Sequence, residues 1–440
     1  MNGFAGTRVI IVDDEEKDAL PILKELSRRG IPATYFDGNQ RRLPPKKRRL
    51  CGVRLAILDM DLVGGVPDKS KMSTLMNVVK GILSPQNGPY GVIAWTGHSH
   101  LRQEFENAVF VEANIPKPIF TITLAKGDCK NKKGDLNLNV ISKKIDDALA
   151  QFSPLLLLQA WEEKCFLAAT QVTNELATLA SSDAPSLDEW RNLWRTQFLQ
   201  LMHTIAAAEA GKQLDSNSCL NALYGSLNPL HSDRMESNIP GLCTSLSDHS
   251  AEIMASTPSG DSHAKARLNT MLHLATDGVN RFYAGNIYMD LGRQRWIPSV
   301  DELLDDLVTG ANDEKRAEAK AALTPVSTPV VIEVNATCDH SQNNVRRARL
   351  IAGLLIPASE HKKIKRAEFI YELGPLFLES STLKANEYRF HFSARHLLTV
   401  ELDKIKRAKA FARLRGQAFA DLQAWFALRA ARPGMLILTG

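Results

Sequence analysis

Hydrophobic and polar positions divide the chain into three stretches of different character. In the first, short unbroken apolar runs alternate with segments of helical period. Arg8-Val9-Ile10-Ile11-Val12, Leu55-Ala56-Ile57-Leu58 and Gly91-Val92-Ile93-Ala94-Trp95 have strand length, and their continuous apolarity predicts strands covered on both faces. Ala33-Thr34-Tyr35-Phe36 and Val109-Phe110-Val111 read as two more, the latter leading through a short turn into Lys117-Pro118. Between them, 17–29 predicts a helix with Leu20, Leu23 and Leu26 on one side, closed by Gly30. A second helix is expected over 73–82, with Leu75, Val78, Val79 and Ile82 buried. The paired prolines Pro44-Pro45, inside the basic run Arg41 to Arg49, leave no room for a helix between the second and third strands. That basic run reads as a solvated loop.

From about Asp135 the period becomes helical throughout. Residues 141–181 carry Ile145, Leu149, Leu156, Trp161, Cys165, Ala168, Val172, Leu176 and Leu179 at spacings near three and four, interrupted by Pro154. This reads equally as a signalling or dimerisation helix and as a core helix. Ser186-Leu187-Asp188-Glu189 has capping-box spacing, and Trp190, Trp194, Phe198, Leu201 and Ile205 follow on one face. Further helices are expected over 218–230, ending in a turn at His231-Ser232-Asp233-Arg234, and over 264–277, with Leu268, Met271 and Leu274 inward. The Ser-, Asp- and Gly-rich segment 244–262 reads as a loop.

The last third alternates in the manner of half-buried strands at 286–289, 329–334, 349–356, 368–373 and 388–392. A long helix is then expected over 403–432, stopped by Pro433-Gly434. The predicted fold class is α/β: a doubly wound parallel sheet over 1–135, an all-helical connector over 136–280, and a C-terminal α+β domain over 281–440 with a mostly antiparallel sheet or small barrel.

Composition changes this picture little. At 440 residues the chain exceeds one ordinary core, and its 44% hydrophobic and 23% charged residues are those of a soluble globular protein. A net charge of +5 neither demands nor excludes nucleic acid. The cysteines (Cys51, Cys129, Cys165, Cys219, Cys243 and Cys338) include no CxxC pair, which argues against a zinc site or a disulfide framework and for a reducing cytoplasm. No targeting signal is visible at the N-terminus. The longest apolar stretch, 350–356, is too short to cross a bilayer, so no membrane partner is expected.

Chemistry enters where the first-stretch strands end. Val12 gives way to Asp13-Asp14-Glu15-Glu16, Leu58 to Asp59-Met60-Asp61, and Trp95 to Thr96. The C-terminal edge of a parallel sheet is where doubly wound folds bind ligands. Carboxylates converging there repel one another unless a cation or proton intervenes, and hard oxygen donors suit Mg²⁺. A hydroxyl and an ammonium at the same rim would be donors to a bound oxyanion.

An acid pair, a single Asp, a Thr and a Lys-Pro, in that order and each at a strand end, resemble the receiver domain of two-component response regulators over roughly the first 130 residues. The resemblance implies that Asp59 accepts a phosphoryl group from a histidine kinase or small phosphodonor. It also implies that Asp13, Asp14, Asp59 and the backbone carbonyl of Asp61 hold Mg²⁺, that Thr96 and Lys117 bind the phosphoryl oxygens, and that the Lys117-Pro118 bond is cis. Departures are the segment Met60 to Gly65 after the acceptor, the length from Asp59 to Thr96, and Asn114 at the aromatic switch position.

In the last third, Cys338, Asp339 and His340 form a candidate thiolate or hydrolytic centre, although neighbours in sequence usually point apart. Lys362, Lys363, Lys365 and Arg366, with Lys404, Lys406, Arg407, Lys409, Arg413 and Arg415, offer a basic surface; no helix-turn-helix accompanies it, so nucleic acid is not the favoured partner. This third is similar to the output portion of large receiver proteins of bacterial anti-phage conflict systems. Three functions follow as expectations. The first is phosphorylation at Asp59 controlling an attached output region; the second, a phosphorylation-independent interaction or scaffold subunit of a defence complex with protein partners; the third, a hydrolase acting through Cys338 and His340.

Overall fold

The computed structural model describes residues 8–430 except 99, 131–136, 151–152, 181–182, 211–215, 246–252, 258–259, 277–278, 280–281, 290, 292–293, 295, 309–311, 343 and 365–366. These residues form two compact units, one made of 1–172 and 231–256, the other of 173–230 and 257–440.

In the first unit five parallel strands, β1 (Val9–Val12), β2 (Ala33–Phe36), β3 (Leu55–Asp59), β4 (Gly91–Thr96) and β5 (Phe120–Ala125), lie in the order β2-β1-β3-β4-β5. Alternate residues of the apolar runs face opposite layers. Ile10, Val12, Ala56, Leu58, Val92 and Ala94 pack on helices α2 (Asp68–Ile82) and α3 (Leu101–Val111), through Leu75, Val79, Ile82, Phe105 and Val109. Val9, Ile11, Leu55, Ile57, Ile93 and Trp95 pack on α1 (Glu16–Arg28) and α4 (Leu138–Ala150), through Ala19, Ile22, Leu26, Ile141 and Ile145. Covering both faces is what allows apolar runs without alternation.

Helix α1 turns its Ala19, Ile22 and Leu26 face inward and leaves Leu20 exposed, and Gly30 closes it at φ +71°. Between β2 and β3 there is no α-helix, as the paired prolines predicted; single 3₁₀ turns at Gln40–Arg42 and Lys46–Arg48 flank them.

Two sequence expectations fail here. Val109-Phe110-Val111 is the last turn of α3, where Leu101, Phe105 and Val109 are buried at four-residue spacing while Phe110 and Val111 are exposed. The fifth strand is Phe120–Ala125, an edge strand with apolar and threonine positions alternating. The following helix, α4, was expected in the connector; it packs on α1, with Arg29 paired to Asp146 at 2.5 Å. Helices α5 (Ser153–Leu179), α6 (Leu187–Ala210) and α7 (Ser216–Ser245) follow. Ser186 Oγ accepts from Glu189 N–H, one of the two bonds of the capping box that the spacing predicted, while its hydroxyl donates to the Glu189 carboxylate; Trp190, Trp194 and Phe198 stack in sequence, half-buried. Residues 231–234 lie inside α7 and are not a turn.

In the second unit seven antiparallel strands curl into a half-barrel. They are β6 (Leu274–Ala275), β7 (Asn286–Met289), β8 (Thr328–Glu333), β9 (Arg347–Pro357), β10 (Ile370–Leu378), β11 (Asn386–Glu401) and β12 (Ala412–Leu414), in the order β10-β11-β9-β8-β7-β12-β6. One face packs on α12 (Gly416–Ala430) through Phe419 and Leu422. The other packs on α9 (Val300–Leu307) and α10 (Asp313–Leu323) through Leu303, Leu304, Leu307 and Leu323. Helix α8 (Ser262–His273) exposes Leu268 and Met271, which had been expected inward, and a short helix α11 spans Thr337–Ser341. The helix expected from 403 begins only at Gly416. Before it lie a 3₁₀ turn at Leu402–Lys404 and β12, where Ala412 and Leu414 are buried on either side of Arg413.

Candidate functional site

The parallel register assembles the rim of the first sheet. Val12 pairs with Leu58, Asp59 with Trp95, and Thr96 with Ala125, so Asp13, Asp59, Thr96 and Lys126 stand side by side where the strands end. This edge lies at β1 and β3, from which successive connections run to opposite sides of the sheet, the position at which such folds bind ligands.

Asp13 is fully buried and Asp59 nearly so. Oxygens of Asp13, the exposed Asp14 and Asp59 lie within 4.8 Å of one another, close enough to share one cation. Each buried carboxylate is oriented by a backbone amide: Glu15 N–H donates to Asp13 Oδ1 at 2.8 Å, and Asp61 N–H to Asp59 Oδ1 at 2.9 Å. The remaining oxygens meet Lys126. Its ammonium lies 2.7 Å from Asp59 Oδ2, 3.0 Å from Asp13 Oδ2 and 3.2 Å from Asp18 Oδ2 on α1.

Crowding sets the protonation of the rim. Burial, reinforced by the Asp59 charge and opposed by Lys126, lifts the Asp13 carboxyl to about 6. Burial also raises Asp14. Burial opposes the charge on Lys126, but the hydrogen bond and charge of Asp59, with those of Asp13, prevail and raise its pKa. The Thr96 hydroxyl is buried at the end of β4 and accepts from His98 N–H at 3.0 Å, which leaves its own proton to donate. The Asp61 side chain accepts from Lys71 at 2.8 Å and is not part of the cluster.

The structure therefore brings together Asp13, Asp14 and Asp59, with Thr96 on the adjoining strand end, but not Lys117. The Lys117 ammonium donates to the Phe110 carbonyl and sits 4.9 Å from the Phe110 ring centre. Because β5 starts at Phe120, Lys117 precedes that strand, whereas the rim lies at its far end. Nor is the Lys117-Pro118 bond cis; among the described residues the cis bond is Gly374-Pro375. Lys126, together with Asp18, is what sequence reasoning missed. Its signal was the alternation Phe120, Ile122, Leu124 running directly into a lysine.

The second candidate site does not assemble. Cys338 is exposed on α11, while the His340 side chain is buried, its Nε2 held 2.9 Å from Glu333 and its ring packed against Phe282 and Tyr283. Of the basic candidates, Lys363 pairs with Glu360 and Lys404 with Glu401, and Lys365 and Arg366 lie outside the described residues. Among the described residues no helix is long and apolar enough to cross a membrane.

No protein-family model matches the chain, and no match was found among the curated proteins or the solved structures searched.

Proposed function

We propose that the first unit is a phosphoacceptor of the receiver class, with Asp59 as the nucleophile. The observation that carries this reading is the Asp13, Asp14 and Asp59 cluster at the sheet's C-terminal edge, with Lys126 bound to Asp59. One oxygen of Asp59 forms a bond to phosphorus. The donor's bond to its leaving group, P–N in a phosphohistidine or P–O in an acyl phosphate, breaks, and the leaving group takes the electron pair. Lys126, and Thr96 from β4, supply donors to the phosphoryl oxygens.

Three carboxylates with oxygens this close fit a hard divalent cation, and Asp13, Asp14 and Asp59 would hold Mg²⁺. The ion would supply positive charge against the phosphoryl oxygens. Partners in this reading are a histidine kinase or small phosphodonor, with the second unit as the region controlled.

The test is incubation with Mg²⁺ and acetyl phosphate, followed by intact mass and hydroxylamine treatment. A hydroxylamine-labile phosphoryl adduct on the folded protein that Asp59→Asn eliminates supports the reading. Absence of any adduct on the wild-type chain, with beryllofluoride likewise failing to bind, overturns it in favour of a phosphorylation-independent interaction subunit.

A further inference from the structure

A cavity of about 780 Å³ lies within the second unit, walled by α6, the first turns of α7, β12 and α11. That volume falls in the range of sites for whole small molecules, roughly 300–1,000 Å³. Its charge is lopsided. Arg413 and Arg415 both line it, and among the described residues neither guanidinium is paired with a carboxylate. The acidic residue of the wall, Glu209, is engaged by the Ser341 hydroxyl at 2.9 Å.

Arg413 is half-buried and lies 5.4 Å over the Tyr283 ring, so its guanidinium has lost part of its hydration without gaining a protein anion. Such a group is completed by an anion from outside, and the planar fork of arginine suits phosphate oxygens. The remaining wall supplies what the rest of a nucleotide would need. Tyr224, exposed on α7, offers a ring face, Tyr283 lines the wall beside Arg413, and Glu209 and Asn228 offer acceptors for ring amines or sugar hydroxyls. This combination of two unpaired arginines and two aromatic rings is absent from the acidic rim of the first unit.

We propose that this cavity binds a phosphorylated small molecule of nucleotide size, its phosphates on Arg413 and Arg415 and its ring system against Tyr224. The site is independent of the reading given to Asp59.

The experiment is a titration of the full chain with N-methylanthraniloyl-ATP in EDTA, so that no divalent ion bridges the nucleotide to the acidic rim. ATP, pyrophosphate and inorganic phosphate serve as competitors. Saturable binding is expected, weakened about tenfold or more in Arg413→Ala and in Arg415→Ala, the usual scale for losing a charged hydrogen bond. Asp59→Asn should bind as the wild type does, which separates this result from the fate of the phosphoacceptor reading. Displacement by inorganic phosphate as effective as by ATP would overturn the nucleotide assignment and leave a simple phosphate site. No binding to folded wild-type protein, or unchanged affinity in Arg415→Ala, whose exposed side chain the fold does not use, would overturn the site altogether.

Discussion

Lys126 Nζ lies 2.7 Å from Asp59 Oδ2 and 3.0 Å from Asp13 Oδ2, so one ammonium bridges the tips of two neighbouring parallel strands. Side by side, those carboxylates would repel each other without it. Lys126→Ala therefore leaves buried like charges uncompensated, at a cost on the order of 3 kcal/mol in metal-free protein. Urea melts with and without Mg²⁺ read the consequence: the variant should regain more stability from the ion than the wild type does, because the ion replaces the missing charge. Lys117→Ala, whose ammonium contacts the exposed Phe110 carbonyl and ring, should change stability by less than about 0.5 kcal/mol and leave the Mg²⁺ response intact. Equal Mg²⁺ responses in all three proteins would deny Lys126 its place at the rim.

At the N-terminal edge of the same sheet, Glu162 on α5 accepts from Arg8 at 2.7 Å and from Arg54 at 2.5 and 3.1 Å. The Arg54 and Glu162 side chains are 11% and 20% exposed, shielded enough for the pairing to count beyond the small value of a surface ion pair. Glu162→Ala should lower the stability of the first unit by about 1–3 kcal/mol, with Glu162→Gln intermediate because its amide oxygen still accepts. Denaturant melts at moderate salt check this, and an unchanged midpoint in Glu162→Ala would show that the two arginines are satisfied by water.

Much of this architecture was readable from residue order, and the failures share a cause. Strands β1, β3 and β4 announce themselves because helices cover both faces, so every position is apolar. Strand β5 has lower contrast: at the sheet's edge its Thr121 and Thr123 are only half-buried, and the run reads as polar. The three apolar residues Val109 to Val111 imitate a strand, although only Val109 meets the core. That single misassignment displaced the site's amine from Lys126 to Lys117 while leaving Asp13, Asp14, Asp59 and Thr96 in place. In the second unit the same ambiguity hid β12. With three residues it is too short to show its period, and it was absorbed into the helix expected from 403, which begins only at Gly416. The arginines of the cavity wall were consequently read as part of a basic surface.

His391 titrates in a place where it has little to gain from a proton. The ring is 1% exposed on β11, and neither of its nitrogens has a hydrogen-bond partner. Burial pushes its pKa from 6.5 down to about 4; the Glu372 carboxylate pulls the other way, while His361, stacked at 6.3 Å, and Arg389 add to the depression. Folded, the ring is neutral over most of the acid range; unfolded, it takes up a proton below about 6.5. Its contribution to stability is therefore complete above that pH and is lost progressively as the pH falls towards 4, by roughly 3 kcal/mol in all. His391→Phe fills the same space with a ring that does not titrate. Urea midpoints of the second unit measured from pH 7.5 to pH 4 should fall more steeply for the wild type than for the variant, with the two curves separating below about pH 6.5. Parallel curves across that window would mean that the ring is solvated or paired, and that the seam between β10 and β11 is not dry.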